Sequence, residues 1–265
     1  MQEMLDREKM LSHLHREEDQ ILGGHILDKI ESVRERGKEE ATDFLNPYQR
    51  KIARKLIGQV YEVNFLEAGG YERAERKRVV VFPEYLFPDH IDVPVDILKV
   101  KGNFDFSSVS HSDFLGALMG LGIKRKMVGD ILVLPDFAQV IVASEISDFI
   151  SLKLNRVHEV PVEIEAIPAD EVIVPTPNSR EIPTTVASMR LDAVASAGFG
   201  ASRGKISREI KNNRAKLNWK PETDPAQDVE VDDLISIKNR GRVKIVEDRG
   251  LSNRGRIKLL LKRFT

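Results

Sequence analysis

The sequence contains no cysteine, so disulfides, thiol nucleophiles and cysteine-ligated metal sites are excluded, and redox chemistry through sulfur with them. Long apolar runs are missing too. Runs such as those at 79–82 and 259–261 fall far short of a bilayer span, and no membrane span is expected. Residues 1–15 are polar and acid-bearing, unlike a secretory signal or an acid-poor transit peptide, and the expected location is cytoplasmic. No glycine-rich loop joins a strand to a helix as a methyltransferase needs. Gly116, Gly120 and Gly122 fall within or after an expected helix, and Glu67-Ala68-Gly69-Gly70 runs into charged residues. His111 and Asp113 have neither a nucleophile nor a third partner nearby in the sequence. His13 and His15, two apart, cannot share a helix face as metal ligands. The expectation is a protein that is not an enzyme, with no catalytic residues, no cofactor and no metal.

What the chain does have is charge, unevenly placed. Charged residues make up 31% against 41% hydrophobic, the balance of a folded globular protein, and 265 residues suffice for two or three domains. Lys and Arg number 41 against 42 Asp and Glu, for a net charge of −1. From residue 190 to the end, however, 18 basic side chains face 10 acidic ones, a net of +8, which leaves 23 and 32 over the rest, a net of −9. A basic segment on an acidic body is the electrostatic footprint of a polyanion-binding protein.

Residues 1–60 read as a helical amino-terminal region, with Leu5, Leu11, Ile21, Leu22, Ile26, Leu27 and Ile30 recurring among charges and Gly23-Gly24 and Gly37 as interruptions. Asn46-Pro47 predicts a fresh helix start, because Asn caps and Pro suits the first position; Ile52, Ala53, Leu56 and Ile57 follow at helical spacing. Residues 61–168 change period. A strand at 79–82 leads into a proline-rich stretch. There follow a strand at 96–100, a helix at 113–121 capped by Ser112, a hairpin of strands at 131–134 and 139–143, a helix capped by Ser144 to about 157, and a strand at 160–167. That βαββαβ order predicts a ferredoxin-like domain, a four-stranded sheet carrying two helices on one face. RNA-binding domains of this kind stack bases on aromatics of the central strands, and 137–142 offers one, Phe137, so stacking on this sheet is not expected. The loop cations Lys124, Arg125 and Lys126 are candidate phosphate contacts, with a solvated turn as the alternative. Prolines at 161, 168, 175, 177 and 183 mark a linker at 169–181, and the last domain occupies 182–265.

In that domain Met189-Arg190-Leu191-Asp192 opens a helix, with Ser188 as cap, that ends at Gly198, suited to a left-handed exit. Ser202 caps a second helix over 203–212, and the two form a hairpin. At about 100° per residue, Ile206 and Ile210 share one narrow face while Arg203, Lys205, Arg208 and Lys211 spread over the remainder, with a single acid, Glu209. A helix start bearing Arg203 and Lys205 suits phosphate, since free backbone amides and the helix dipole both favour anions. Strands at 215–219, 234–238 and 242–246 follow. In the last, Arg242 and Lys244 alternate with Val243 and Ile245, giving a cationic face expected to continue the helix's.

Arg190-Leu191-Asp192, Ser202-Arg203, Ile206 with Ile210, Lys216-Leu217-Asn218, Asp232-Asp233 and Asn239-Arg240-Gly241-Arg242 together resemble the S4 RNA-binding domain, first recognised in a small-subunit ribosomal protein. The chain departs from it at Asn212 or Asn213 and at Trp219, where that family usually has glycine; Asn tolerates the left-handed conformation. Upstream, Thr42-Asp43-Phe44-Leu45-Asn46-Pro47-Tyr48-Gln49, Gly69-Gly70-Tyr71-Glu72-Arg73-Ala74-Glu75-Arg76, and Ser110-His111-Ser112-Asp113-Phe114-Leu115-Gly116 through Gly122-Ile123-Lys124-Arg125-Lys126 to Gly129-Asp130-Ile131 resemble the YlmH-like S4 proteins, whose photosynthetic relatives are labelled photosystem II S4 domain proteins. These likenesses cover most of the chain. They imply an α+β protein: an amino-terminal helical segment, a central ferredoxin-like domain and a carboxy-terminal S4 domain of a helical hairpin plus a small sheet.

The function they imply is that of a ribosome-associated factor that grips structured rRNA or tRNA and handles stalled large ribosomal subunits, and a monomer is expected. The RNA contacts expected are Arg190, Ser202, Arg203, Lys205, Arg208, Lys211, Lys216, Asn218, Lys238, Arg240 and Arg242, with Lys124, Arg125 and Lys126 as a secondary set. Two alternatives stand beside this. One is an S4-containing RNA-modifying enzyme such as a pseudouridine synthase, whose catalytic motif also begins Arg-Leu-Asp; but Asp192 lies inside the binding module, and Ala195 and Ala197 stand where that motif needs a hydroxyl and a glycine. The other is a photosystem-associated scaffold, which salt-sensitive RNA binding separates from the first reading.

Overall fold

The computed structural model describes residues 5–104, 109–176 and 178–264. Met1 to Met4 of the expected helical region, Pro177 of the expected linker and Thr265 of the last domain lie outside the described residues. The chain divides into two units, Met1–Pro175 and Thr176–Thr265.

The first unit opens with α1 (Arg7–Leu11) and α2 (Glu17–Arg36). Then come β1 (Glu40–Ala41), α3 (Pro47–Ile57), β2 (Val63–Ala68) and β3 (Arg78–Pro83). The strands pair antiparallel in the order β1-β3-β2, and Ile26, Leu27, Ile30, Leu56 and Ile57 close an apolar core with Val79 and Val81. The Asn46 cap is present and more complete than expected: its side chain accepts from the Gln49 backbone at 3.0 Å, and the Gln49 side chain accepts from the Asn46 backbone at 3.0 Å. Gly23 and Gly24 do not interrupt α2. A Cβ at Gly23 would lie 2.5 Å from Leu11 Cδ2, so the missing side chain is what seats the Leu11 and Leu14 side chains on the longer helix.

Next come β4 (Val95–Gly102), α4 (His111–Gly120), β5 (Val128–Val133), β6 (Phe137–Ala143), α5 (Ser144–Lys153), β7 (Arg156–Val157) and β8 (Val160–Ile167). The sheet order is β5-β6-β4-β8-β7, antiparallel throughout, which is the ferredoxin-like order with one short strand added at the edge. That added strand takes residues expected at the end of the second helix; α5 stops at Lys153. The cap of α4 is Ser110 rather than Ser112, because Asp113 completes a capping box with Ser110. Leu98, Val100, Val140 and Val142 point to the helix side and pack on Phe114, Leu118 and Ile150. Ile97, Leu132 and Ile141 alternate to the opposite face, where Phe44 and Tyr71 cover them, so both faces of this sheet carry apolar packing. Arg78, 4% exposed, ties the two parts of the unit together. It donates to the Thr42 and Pro94 carbonyls, each at 2.7 Å, and pairs bidentately with Glu145 of α5 at 2.7 and 2.8 Å.

The second unit contains β9 (Ser179–Val186), α6 (Leu191–Phe199), α7 (Arg203–Lys211), β10 (Ala215–Leu217), β11 (Lys220–Glu222), β12 (Leu234–Ile237), β13 (Gly241–Leu251) and β14 (Ile257–Phe264). They form one antiparallel sheet, β11-β10-β12-β13-β14-β9, with both helices on one face. Residues 179–181, expected in the linker, are already strand, pairing with the end of β14. The first helix is capped by Arg190 in extended conformation rather than by Ser188, and it leaves through Gly200 at φ 63° rather than through Gly198. Gly198 is buried inside the last turn, where a Cβ would stand 2.6 Å from Val243 Cγ1; it is small so that α6 can lie against β13.

Candidate nucleic-acid interface

Ile206 and Ile210 of α7 are fully buried in the core of the second unit, beside Leu191, Val194, Ile235, Ile237 and Val243. With that side anchored, the rest of the helix is presented to solvent. Arg203, Lys205, Arg208 and Lys211 are all exposed there, as is Ser202, whose backbone forms the N-cap but whose side chain makes no capping hydrogen bond. The Arg208 guanidinium lies along its own helix, donating to the Gly204 carbonyl at 3.3 Å.

Two carboxylates organise the arginines around this helix. Asp192, 5% exposed in the first turn of α6, accepts two hydrogen bonds from Arg203, each at 2.9 Å, and two longer ones from Arg190 at 3.3 and 3.4 Å. Burial pushes the Asp192 carboxyl pKa up, but hydrogen bonds from Arg203 and then Arg190 outweigh it and hold the group below the usual carboxylate range. A guanidinium has five N–H donors and a bidentate contact uses two, so both arginines keep donors for an anion. Glu209 accepts from Arg240 at 2.7 and 3.0 Å, which pins the β12–β13 turn to α7; the Arg240 hydrogen bonds hold the Glu209 pKa below its ordinary value. That turn has Asn239 at φ 65° and Gly241 at φ 85°. The Lys238 backbone donates to the Arg214 carbonyl at 2.9 Å, so the exposed Lys238 and Arg214 join the same end of the helix. Arg214 was not among the expected contacts; the run Lys211, Arg214, Lys216 was the signal for it.

The sheet cations do not continue this surface. Lys216 stands opposite Ser236, and Ser236 opposite Arg242, on one row of neighbouring strands, while Val243 beside them faces the helices. Side chains alternate along a strand, so Lys216, Arg242 and Lys244 lie on the face away from α6 and α7. The expectation of a single stripe is corrected by that alternation. Lys244 also pairs with Asp232 at 2.8 Å.

Asn218 has a framework role. Its amide donates to Asp233 at 2.6 Å and its carbonyl oxygen accepts from the Leu234 backbone at 2.9 Å. Asn218 and Trp219, at φ 50° and 65°, are the two central residues of the β10–β11 hairpin turn, and the left-handed Trp219 costs about 1–2 kcal/mol relative to glycine there. Asn213, at φ 56°, takes the left-handed conformation where the S4 pattern has glycine.

In the first unit the secondary set divides. Arg125 turns inward, donating to the Val128 carbonyl and to the Gly129 carbonyl at 3.1 Å, and burial lowers its pKa. Lys126 pairs with Asp43 at 2.9 Å. Lys124 is exposed at the start of a short 3-10 turn, Arg125–Met127.

Residues 22–86 match the family model described as YlmH, N-terminal; residues 88–171 match the putative RNA-binding domain in YlmH, and residues 189–235 match the S4 domain. The chain is 36% identical over 218 residues to the ribosome-associated protein quality control protein P2 of Bacillus subtilis (strain 168), covering 82% of this chain and 84% of that protein. The chain belongs to the YlmH family. The solved structure of the cell division protein ylmH from Streptococcus pneumoniae is similar to this YlmH-family chain with a TM-score of 0.52 at 27% identity, over 60% of this chain and 96% of the other. No helix among the described residues is long and apolar enough to cross a membrane.

Proposed function

We propose that this YlmH-family protein is a non-catalytic, cytoplasmic RNA-binding factor that acts as a monomer on the large ribosomal subunit and grips structured rRNA or tRNA. The observation that carries the reading is the exposed cationic side of α7, held outward by the burial of Ile206 and Ile210 in a segment of net charge +8. The relative's name, a ribosome-associated quality control protein, and the description of the central segment as a putative RNA-binding domain support it. Arg190, Arg203, Lys205, Arg208, Lys211, Lys238 and Arg240 form the main phosphate contacts, with Ser202 at the helix start and Asn218 holding the neighbouring turn. Lys216 and Arg242 meet RNA that wraps to the other face of the sheet, and Lys124, with Lys126 released from Asp43, gives a secondary contact; Arg125 supports that loop from inside. Because such contacts are to backbone, shape rather than base order selects the RNA.

Reversing Arg203 and Arg208 to Glu removes two phosphate contacts and their counterion release, and should weaken RNA binding by at least about ten-fold at low salt with a flatter salt dependence. Unchanged affinity in a filter-binding titration would remove the helix from the interface. Sedimentation of lysate through sucrose at two salt concentrations tests the partner: the protein should travel with large subunits at low salt and leave them at high salt.

A further inference from the structure

The sheet of the second unit carries its helices on one side, and the cations of its strands collect on the other. Cross-strand partners share a face, so the register places them. Lys216 stands opposite Ser236 and Ser236 opposite Arg242; two residues further along β13, Lys244 stands opposite Lys262 of β14. Lys258 is opposite Thr185, and Arg256 donates to the Thr185 hydroxyl at 3.1 Å, which brings charge to the start of β14. The residues between these on the strands, Val243, Ile245, Leu259 and Leu261, are buried in the core with α6 and α7. Among the described residues the acids against this set are Glu181 opposite Lys262, Asp232 held by Lys244, and Glu247 held by Arg249. Six cations therefore outnumber three acids over a face that runs roughly 25 Å diagonally from Lys216 on β10 to Lys258 on β14, at the spacing of strands and residues in a sheet.

Folding alone does not ask for this arrangement. Like charges directly across an antiparallel pair repel, and Lys244 and Lys262 form such a pair in the middle of the face, where a lysine opposite a glutamate would attract. Lys244, Arg256, Lys258 and Lys262 also lie past residue 235, where the S4 match ends. We infer that this sheet face is a second RNA-binding surface, so that the unit holds two RNA segments at once, one on the α7 side and one on the sheet side. The two surfaces are back to back, with a layer of helix about 10 Å thick and the sheet itself between them, and a straight RNA helix reaches one or the other. Lys216 and Arg242 belong to the second segment. The inference rests on the RNA-binding reading above and deepens it: the RNA recognised is one in which two helical segments close on a single domain from opposite sides.

A bridging assay with the full-length protein tests it. Beads carrying a biotinylated RNA hairpin, loaded with the protein and washed, should retain a second, fluorescein-labelled hairpin. Lys244→Gln combined with Lys262→Gln removes the repelling pair along with an exposed bridge to Asp232, so this variant should melt no lower than the parent. Its capture of the second hairpin should fall about ten-fold at low salt, through the loss of two phosphate contacts and their counterion release. Its affinity for a single hairpin, read by anisotropy, should stay close to the parent's, because the α7 side is intact. Lys216→Gln with Lys258→Gln, at the two ends of the face, should lose capture as well. Undiminished capture by both variants would overturn the inference, since two copies of the chain, each holding one hairpin by α7, would then make the bridge. A parent that binds one hairpin and captures no second would overturn it too, and in either case the RNA-binding reading stands. Anisotropy unchanged with any hairpin would remove that reading, and the second surface with it.

Discussion

At the scale of single residues, the acids of the basic unit are arranged to work for the cations. Asp192 subtracts a charge from the proposed interface, yet it holds Arg203 and Arg190 from two separate places in the chain. Charge counting alone says that Asp192→Asn should tighten RNA binding. Positioning says the reverse: with the guanidiniums released, affinity should drop about ten-fold, the equivalent of one lost charge-assisted hydrogen bond. Anisotropy titrations over a KCl series decide between them, and tighter binding with a steeper salt slope would show that the carboxylate only opposes the RNA. Glu209 was visible in the sequence as the one acid on its helix, but its partner Arg240 lies a strand away, and no local spacing connects them.

At the scale of elements, ion pairs differ by what their loss leaves behind. Glu145 is half exposed, but removing it strands the buried Arg78 charge, so Glu145→Ala should lower stability by about 2–3 kcal/mol after allowing for solvent screening. Glu165→Ala breaks a bridge to Lys101 in which both side chains are exposed, and its melting temperature should match the parent in the same thermal scan. Elements with strong local signals were legible in the sequence. The Asn46-Pro47 start, the hairpin of α6 and α7 with its buried Ile206 and Ile210, and the ferredoxin-like order all follow from caps and apolar period. What was not legible depended on distant partners. Leu259, Leu260 and Leu261 do not alternate, so β14 is invisible until β13 and β9 flank it. Gly23 and Gly198 look like helix breakers, and only the neighbouring Leu11 and Val243 explain their size. Arg125 looks like its neighbours Lys124 and Lys126 until Val128 and Gly129 present their carbonyls.

At the scale of the whole molecule, pH should separate folding from RNA binding. The pKa values of Glu67, Glu145, Asp192 and Glu209 are all lowered in the folded state. For Glu145 and Glu209 the chief cause is the hydrogen bonds from Arg78 and Arg240; for Glu67 and Asp192 burial opposes the shift and arginine hydrogen bonds overcome it. A depressed carboxylate contributes stability that is present above its unfolded pKa of about 4 and is lost as pH falls through the folded value. Thermal scans should therefore give a level melting temperature from pH 8 to 6 and a steep fall below about pH 5. RNA affinity should be flat between pH 6 and 8, because the proposed contacts are Lys and Arg; a sharp drop above pH 6 would mean that a histidine belongs to the interface.

Arg78 carries a consequence for how this chain can be dissected. It sits in the segment matched as the amino-terminal YlmH part, yet two of its anchors, Pro94 and Glu145, belong to the segment matched as the RNA-binding domain. A cut at residue 87 follows the border between those two segments, yet it takes from Arg78 both its counterion and one of its carbonyl acceptors, and it bares Ile97 and Ile141 where Phe44 and Tyr71 covered them. What looks like a pair of modules on the family map is, for expression and truncation, one indivisible piece.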